Sequence, residues 1–337
     1  MFLKKTYIIA EAGINHNGNF DKAKKLIFAA KKTGADAIKF QIFKPEDVVT
    51  NDLKMASYQI ANLKTKKLKM LEMIKKYELS QSQHKKLYLI AKKNKIDFIS
   101  SAFDLDSLEF LIKDLNLKII KIPSGEITNY PYLKRISKTK KKVILSTGMS
   151  NIKEIKQAVK ILTSEKLPKK NLFILHCNTA YPTPYEDVNL RAINQLKRDL
   201  KLTVGYSDHT LGVEVSVAAV SLGAAVIEKH FTLNKNWKGP DQKSSLDQGE
   251  FKNLVTSIRN IEKSFGSKIK KITNSEKKNI YFARKSIVAK KNIFKGEVYS
   301  YNNLTTKRPA GGLSPMLWKK FLFKKAKFNF RKNEKIR

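Results

Sequence analysis

The sequence has little of several residue types on which particular classes of protein depend. Cys177 is the only cysteine among 337 residues, so no disulfide can form within the chain, and a reducing compartment is expected. No cluster of cysteines offers a zinc site, and no Ser-His-Asp order or Cys-His pair indicates a hydrolase. No glycine-rich fingerprint follows the first strand-like run, which argues against a dinucleotide-binding fold.

Long hydrophobic runs are also missing. No stretch approaches the ~20 apolar residues that a membrane-spanning helix needs. At the N-terminus, Lys4, Lys5 and Asn15 interrupt the apolar residues that a signal peptide would require. We therefore expect a soluble, cytoplasmic protein.

Arginine is scarce, although the chain is strongly basic. The formal net charge is +39, yet only eight of the 68 basic residues are arginine, and the lysines are spread along the whole chain. The basic composition suggests a nucleic-acid-binding protein as a rival. Nucleic-acid recognition depends heavily on arginine, however, so the scarcity of arginine argues against this rival. We interpret most of the charge as a solvated lysine surface, whose field would attract small anionic substrates.

What the sequence does contain is a regular alternation of strand-like and helix-like stretches. The strand-like runs are Tyr7–Ala12, Asp36–Gln41, Asp97–Phe103, Ile119–Pro123, Val143–Thr147, Leu172–Cys177, Leu202–Tyr206 and Val226–Phe231. They are continuously apolar, as expected for strands that are buried on both faces. The pattern predicts an α/β protein with a (β/α)8 TIM barrel, whose site lies at the C-terminal strand ends; a doubly wound open sheet is the alternative.

Helix-like stretches lie between these runs. They are Asp21–Thr33, Ser80–Asn94, Asp106–Leu115, Asn151–Leu162 and Val213–Leu222. Asp106 and Asn151 are predicted N-caps, and Gly34 and Gly223 are placed where a glycine ends a helix.

The chain divides into a large and a small predicted domain. Residues 1–265 form the barrel, and within it the connection Phe43–Leu79 is predicted to be a lid or extra helices, with a solvated helix at Lys64–Lys76. Residues 266–282 are polar and charged, as in a linker. Residues 283–337 contain short strand-like runs and turns, which predict a small β-rich domain.

Two histidines follow consecutive strand-like runs. His209 comes after Leu202–Tyr206, and His230 lies at the end of Val226–Phe231. Either histidine alone is more often a satisfied core residue. Two at equivalent ends of neighbouring strands indicate an open metal site, because imidazole suits divalent transition metals.

Other polar residues also lie at the predicted strand ends. Glu11 is placed for acid–base work or for binding a hydroxyl group. Lys39 and Lys121 are flanked by apolar residues, so each must find an anion, which is either a ligand or a buried Glu or Asp. Together with the serines and the amide that follow other strands, they predict a site for phosphate and carboxylate.

Several longer segments are distinctive: AEAGINHNGN (10–19), DAIKFQ (36–41), KIPSGEI (121–127), LSTGMS (145–150), LHCNTAYPTPYEDVNL (175–190), GYSDHTLG (205–212), EKHFTL (228–233), GPDQKSSL (239–246), RKSIVA (284–289) and KRPAGG (307–312). In these segments the chain resembles the bacterial sialic acid synthases, which make N-acetylneuraminate and its relatives legionaminate and pseudaminate. The resemblance spans nearly the whole chain. It implies a TIM barrel followed by an antifreeze-like (SAF) domain, in a homodimer whose small domains each cover the other subunit's site.

The resemblance also implies roles for individual residues. His209 and His230 would bind a divalent metal, Mn2+ or Mg2+. Phosphoenolpyruvate would be held by Lys39, Lys121, Ser124, Ser146, Asn178 and Ser207, and Gln41 is a further substrate-binding candidate. Glu11, Glu126 and Asp241 would be catalytic, and they would face the sugar or its attacking water together with Tyr181. Arg308 would reach the N-acyl group of the sugar across the dimer.

The expected reaction joins phosphoenolpyruvate to the aldehyde of an open-chain N-acylmannosamine-type sugar and releases phosphate. The sequence Cys177-Asn178-Thr179 is more similar to the legionaminate branch than to N-acetylneuraminate synthases, and Gln242 replaces a histidine of many relatives. Three rivals remain at this point: pseudaminate synthase or another phosphoenolpyruvate-dependent aldol-type synthase, a stand-alone antifreeze-like protein, and the nucleic-acid-binding protein.

Overall fold

The computed structural model describes residues 5–63 and 69–337, and its central feature is a closed barrel of eight parallel strands. The strands are β1 (Tyr7–Gly13), β2 (Ala37–Ile42), β3 (Asp97–Ala102), β4 (Ile119–Ile122), β5 (Lys142–Ser146), β6 (Leu172–Cys177), β7 (Thr203–Asp208) and β8 (Val226–His230). β1 pairs with β8 as well as with β2, so the sheet has no free edge. This closure confirms the predicted TIM barrel and excludes the open sheet.

Helices connect the strands. They are α1 (Phe20–Thr33), α2 (Pro45–Val48), α3 (Ser57–Leu63), α4 (Met70–Lys75), α5 (Gln81–Lys93), α6 (Leu105–Glu109), α7 (Tyr130–Ser137), α8 (Ile152–Leu162), α9 (Ala192–Leu200), α10 (Glu214–Ser221) and α11 (Gln248–Ser264). The predicted N-cap Asn151 accepts hydrogen bonds from the first turn of α8, and Gly34 ends α1 at a φ of 86°.

The helix predicted at Asp106–Leu115 differs from the observed one. It begins at Leu105, and Asp104 is the N-cap, since its side chain accepts from the backbone N of Ser107. The prediction of Asp106 as the cap was therefore wrong. A π-helical turn, Phe110–Asp114, follows α6.

The barrel interior changes in character along the strands. Its apolar part is a cluster of Tyr7, Ile9, Ala37, Ile99, Ile119, Ile144, Phe173, Leu175 and Val226. Farther along the same faces of β1, β2, β4 and β8 come Glu11, Lys39, Lys121 and Glu228, all buried. Because successive side chains of a strand point to opposite faces, the charged residues form the layer above the apolar one. The outer faces pack against the helices in a separate large apolar core.

The connection after β2 forms α2, α3 and α4, which agrees with the extra helices predicted there, while the alternative of a lid stays a prediction. Met55, Met73, Ile74 and Tyr77 pack with Phe43 in an apolar cluster of this region. A solvated helix was predicted at Lys64–Lys76, of which residues 64–68 lie outside the described residues. The described part is helical from Met70 to Lys75, and this helix is not wholly solvated, because Met73 and Ile74 are buried.

Residues Gly266–Arg337 form a second compact unit. It contains α12 (Asn274–Ala283), a two-stranded antiparallel sheet of β9 (Ser286–Ala289) and β10 (Leu304–Lys307), and α13 (Trp318–Phe321). The segment 266–282, interpreted from the sequence as a linker, thus includes most of a helix. No helix in the described ranges of the chain is long and apolar enough to cross a membrane.

Candidate active site

The two predicted metal ligands lie side by side at the C-terminal end of the barrel. His209 directly follows β7, His230 ends β8, and their ring centroids are 5.4 Å apart. The Nδ1 of His209 is hydrogen-bonded to the backbone carbonyl of Asn178, and its other ring nitrogen, Nε2, lies 3.4 Å from the hydroxyl of Ser207, a contact that a metal ligand would have to replace. The Nδ1 of His230 is buried and has no hydrogen-bond partner among the described residues.

Burial keeps both imidazoles neutral. It lowers the pKa of His209 to about 4 and lowers the pKa of His230 well below its usual value. Neutral imidazole is the form that binds metal. Within residues 5–63 and 69–337, no group of three or more His, Cys, Asp or Glu residues is arranged to bind a metal ion. Two neutral imidazoles that lie side by side are a donor set that suits a metal with its remaining positions open to water or substrate.

Four buried charges form what we call the Lys-Glu cluster: Glu11, Lys39, Lys121 and Glu228. The Nζ of Lys39 lies 3.0 Å from Oε1 of Glu11 and 3.6 Å from Oε1 of Glu228. The Nζ of Lys121 lies 3.4 Å from the same Glu228 oxygen. The second oxygen, Oε2, of each glutamate is buried without a hydrogen-bond partner in the described part of the chain. These two oxygens are therefore free to accept a proton or a hydrogen bond from a ligand.

The pKa values of the cluster reflect burial and mutual attraction. Burial alone would raise the pKa of Glu228, but the charges of Lys121 and Lys39 outweigh it and lower that pKa to about 2. Burial raises the pKa of Glu11, and the charge of Lys39 opposes this only in part. Burial lowers the pKa of Lys121, whereas the pKa of Lys39 is raised because Glu11 and Glu228 outweigh the effect of burial.

The structure shows which groups balance the charges of the two predicted lysines. We expected Lys39 and Lys121 to be kept for an anionic ligand, with buried acids as the alternative partners. Both lysines do pair with buried acids. Glu228 was missed because the run Val226–Phe231 was interpreted as continuously apolar, although a period of two counted back from His230 places Glu228 on the same face.

Several predicted polar residues join or border the cluster. Ser146 accepts a hydrogen bond from Lys121 at 2.7 Å, and Ser207 donates to Glu228 at 3.0 Å. Ser124 accepts from the backbone N of Gly148 at 3.0 Å. Asn178 contributes through its carbonyl to His209, while its side chain accepts from the backbone of Ala180.

A cavity of about 240 Å3 adjoins His230. Its polar wall includes Gln41, Tyr181, His230 and Asp241, and the ring of Tyr181 lies 4.2 Å from that of His209. Much of the remaining wall is apolar and includes Phe43, Val48, Met70, Met73, Ile74 and Phe103. Burial, reinforced by the charge of Glu11, raises the pKa of Asp241 to about 7, so this carboxyl can gain or lose a proton near neutral pH.

Different surroundings are found for two further predicted site residues, Glu126 and Arg308, and for Gln242, which replaces a histidine of many relatives. Glu126 accepts a hydrogen bond from Asn129 at 2.6 Å, and burial raises its pKa. Arg308 directly follows β10 in the second unit and is exposed, so its part in the site stays a prediction. Gln242 is buried, where its side chain bonds Thr232 and the backbone of Asn15 and so ties two loops together.

Comparison with known proteins places this geometry in a family. A model described as the NeuB family matches residues 26–270. The chain is 53% identical to an N,N'-diacetyllegionaminic acid synthase of Campylobacter jejuni, across 99% of this chain and 100% of that protein. It is 39% identical to a pseudaminic acid synthase of Campylobacter jejuni, across 96% and 93% of the two chains.

A solved structure agrees with these similarities. The crystal structure of the N-acetylneuraminic acid synthetase of Leptospira borgpetersenii, in complex with citrate, matches with a TM-score of 0.72 and 33% identity, over 82% of this chain and 90% of that one. Fold, strand-end residues and sequence similarity lead to one conclusion. The chain belongs to the NeuB family of sialic acid synthases and is an enzyme of this kind.

Proposed function

We propose that the enzyme condenses phosphoenolpyruvate with 2,4-diacetamido-2,4,6-trideoxymannose and water to give N,N'-diacetyllegionaminate and phosphate. The observation that carries the choice of sugar is the apolar wall of the cavity beside His230 and Asp241. A 6-deoxy sugar with two acetamido groups presents methyl groups to such a wall, where the hydroxyls of N-acetylmannosamine would lose hydrogen bonds to water. The 53% identity to a legionaminic acid synthase, against 39% to a pseudaminic acid synthase, supports the same choice.

His209 and His230 are the proposed ligands of a divalent metal, Mn2+ or Mg2+, since NeuB-family synthases are in general metal-dependent. This role is supported by the neutral rings, by their spacing, and by the Nδ1 of His230, which has no hydrogen-bond partner within residues 5–63 and 69–337. A metal bound there would act as a Lewis acid toward the aldehyde oxygen of the sugar.

Phosphoenolpyruvate is the proposed ligand of Lys39 and Lys121. Ser146 and Ser207 already touch the cluster, and Ser124 and Asn178 would add hydrogen bonds from the neighbouring strand ends. The two lysines are balanced by two glutamates, so the cluster by itself has little net charge to offer a trianion. The charge of the metal would supply what the cluster lacks, which makes binding of phosphoenolpyruvate dependent on the metal.

Proton transfer is assigned to Asp241 and Glu11. Carbon 3 of phosphoenolpyruvate attacks the aldehyde carbon, the aldehyde oxygen gains a proton, water adds at carbon 2, and the bond from carbon 2 to the phosphate oxygen breaks. With a pKa of about 7, Asp241 can give or take a proton at neutral pH. The buried Oε2 of Glu11, which has no hydrogen-bond partner in the part of the chain that the structure describes, would accept a proton from the attacking water. Glu126 and Tyr181 are proposed to orient the sugar hydroxyls.

The small domain completes the proposal. Arg308 is exposed and lies between β10 and the turn Pro309–Gly312, so its guanidinium is available to a partner. We assign it to the N-acyl oxygen of the sugar in the other subunit of a homodimer, where a planar donor suits a carbonyl acceptor.

The experiment is a phosphate-release assay with phosphoenolpyruvate and three sugars: the trideoxymannose, N-acetylmannosamine, and the stereoisomer that leads to pseudaminate. We expect kcat/KM for the trideoxymannose to exceed the others by about tenfold or more, since a few misplaced polar groups have effects of this size. A higher kcat/KM for N-acetylmannosamine would identify an N-acetylneuraminate synthase instead. No phosphate with any sugar would refute the reaction itself, and His230→Ala protein provides the inactive control.

A further inference from the structure

A buried ion pair lies directly behind the two histidines, on the outer face of the same strands. Asp208 precedes His209 and Lys229 precedes His230, so both point away from the barrel interior. The Nζ of Lys229 lies 2.8 Å from Oδ2 of Asp208, and both side chains are 0% exposed. Neither residue belongs to the proposed binding or catalytic groups.

The pair anchors the backbone on both sides of His209. Lys229 donates to the backbone carbonyl of Thr210 at 2.7 Å. Asp208 accepts from the backbone N of Thr210 at 2.9 Å and from its hydroxyl at 2.7 Å. Ser216 of α10 donates to the other Asp208 oxygen at 2.6 Å. His209 is therefore the middle residue of a three-residue turn whose two ends are both bound to Lys229.

The backbone pairing between β7 and β8 ends at this pair. The register runs Tyr206 with Ile227, Ser207 with Glu228, and Asp208 with Lys229. His209 follows the last paired residue of β7, and the ladder partner of His230 is Glu11 of β1. Asp208 and Lys229 are thus the last paired residues of β7 and β8 before each strand reaches its histidine.

We propose that Asp208 and Lys229 are positioning residues, which fix the separation and orientation of His209 and His230 for metal binding. A buried ion pair adds little to stability compared with an apolar pair of similar volume, so stability alone gives a weak reason for burying these charges. The directed hydrogen bonds of Asp208 and Lys229 hold the nearby backbone in a fixed geometry, as the outer hydrogen-bond partners of metal ligands do. The inference rests on the metal site of the proposed function.

The test compares metal binding in Asp208→Asn and Lys229→Met protein with that of the wild type. Dissociation constants for Mn2+ are measured by electron paramagnetic resonance of the free ion, and ligand geometry by the visible spectrum of the Co2+-loaded protein. We expect Mn2+ binding to weaken by about 10–100-fold and the Co2+ spectrum to change. Asp36→Asn is the matched control, because Asp36 also accepts hydrogen bonds from a backbone N and from Arg259, but before the start of β2.

The control separates positioning from stability. Asp36→Asn protein should lose stability yet keep the wild-type Mn2+ constant and Co2+ spectrum. If Asp208→Asn and Lys229→Met protein also keep the wild-type Mn2+ dissociation constant and Co2+ spectrum, the proposal is overturned. If either single variant fails to fold, the double variant, which leaves no unpaired charge, replaces it and is expected to bind Mn2+ as weakly.

Failure of the metal site itself has a different signature. If wild-type protein binds no Mn2+, or binds it equally well as His209→Ala protein, the proposed ligands are wrong and the positioning role is refuted with them. If wild-type protein binds Mn2+, His209→Ala protein does not, and the double variant binds like the wild type, only the positioning role is refuted.

Discussion

The Nζ of Lys121 lies 3.4 Å from Oε1 of Glu228 inside the barrel, and both side chains are almost completely buried. A pair of this kind has two possible uses, because it can balance charge for the fold and can also open to receive an anionic substrate. The two uses can be tested separately, because charge balance depends on Glu228 and substrate binding depends on phosphoenolpyruvate.

Replacing Lys121 with Met should destabilise the protein, because Glu228 is left with Lys39 as its remaining basic partner. We expect a loss of about 3–5 kcal/mol in the free energy of unfolding, measured in urea, and recovery of much of it in Lys121→Met/Glu228→Gln protein. Both variants should show a raised KM for phosphoenolpyruvate. A stable single variant would contradict the charge-balancing role, and an unchanged KM would contradict the substrate role.

Removal of metal should weaken the binding of phosphoenolpyruvate, because the Lys-Glu cluster is balanced by its own acids. Titration calorimetry with and without a chelator measures this directly, and we expect at least about a tenfold loss of affinity. His209→Ala and His230→Ala protein should behave like chelated wild type in the presence of metal, with unchanged circular dichroism. Equal affinity in all samples would mean that the lysines bind the substrate unaided.

The raised pKa of Asp241 predicts how stability depends on pH. Between pH ~4 and ~7 the folded chain keeps a proton on Asp241 that the unfolded chain has released, so this residue makes the protein less stable as pH rises. In chelator-treated protein, Asp241→Asn should therefore gain stability over wild type through this range, by up to about 4 kcal/mol at pH 7 and above. Urea unfolding at several pH values tests this. If the difference in the free energy of unfolding between the two proteins did not change with pH, the raised pKa of Asp241 would be contradicted.

Inactive chains that lack Arg308 and inactive chains that lack His209 should complement each other when they form a mixed dimer. Arg308→Ala and His209→Ala chains that are unfolded and refolded together should regain activity, because some mixed dimers combine an intact metal pair with an intact partner Arg308. Chains refolded separately serve as the control and should stay weak. If mass spectrometry finds mixed dimers and activity is still absent, Arg308 does not act on the other subunit.

The sequence predicts the barrel and places several polar residues at the ends of its strands, since apolar runs and strand-end residues are local features. His209 and His230 lie together as expected. Glu228 and the Asp208–Lys229 pair were not predicted, because the sequence shows that these charges lie in strand-like runs but not which residue of another strand is the partner of each. Glu228 finds that partner in Lys121, on β4.

Helix starts and the choice between neighbouring acids also depend on distant contacts. Asp104 and Asp106 are both acceptable caps by sequence. Asp104 caps α6, and it also accepts from the backbone N of Lys44, after β2. The apolar cavity depends in the same way on α4, because Met70 and Met73 come to line the same cavity as His230 only in the folded chain.

The most direct test of the proposed reaction uses phosphoenolpyruvate labelled with 18O in the oxygen that bridges carbon 2 and phosphorus. The labelled compound is incubated with 2,4-diacetamido-2,4,6-trideoxymannose, metal and enzyme, and mass spectrometry follows the label. We predict a condensation product with the mass of N,N'-diacetyllegionaminate that carries no label, and inorganic phosphate that carries all of it. Label in the nine-carbon product, or release of labelled phosphate without that product, would contradict the account.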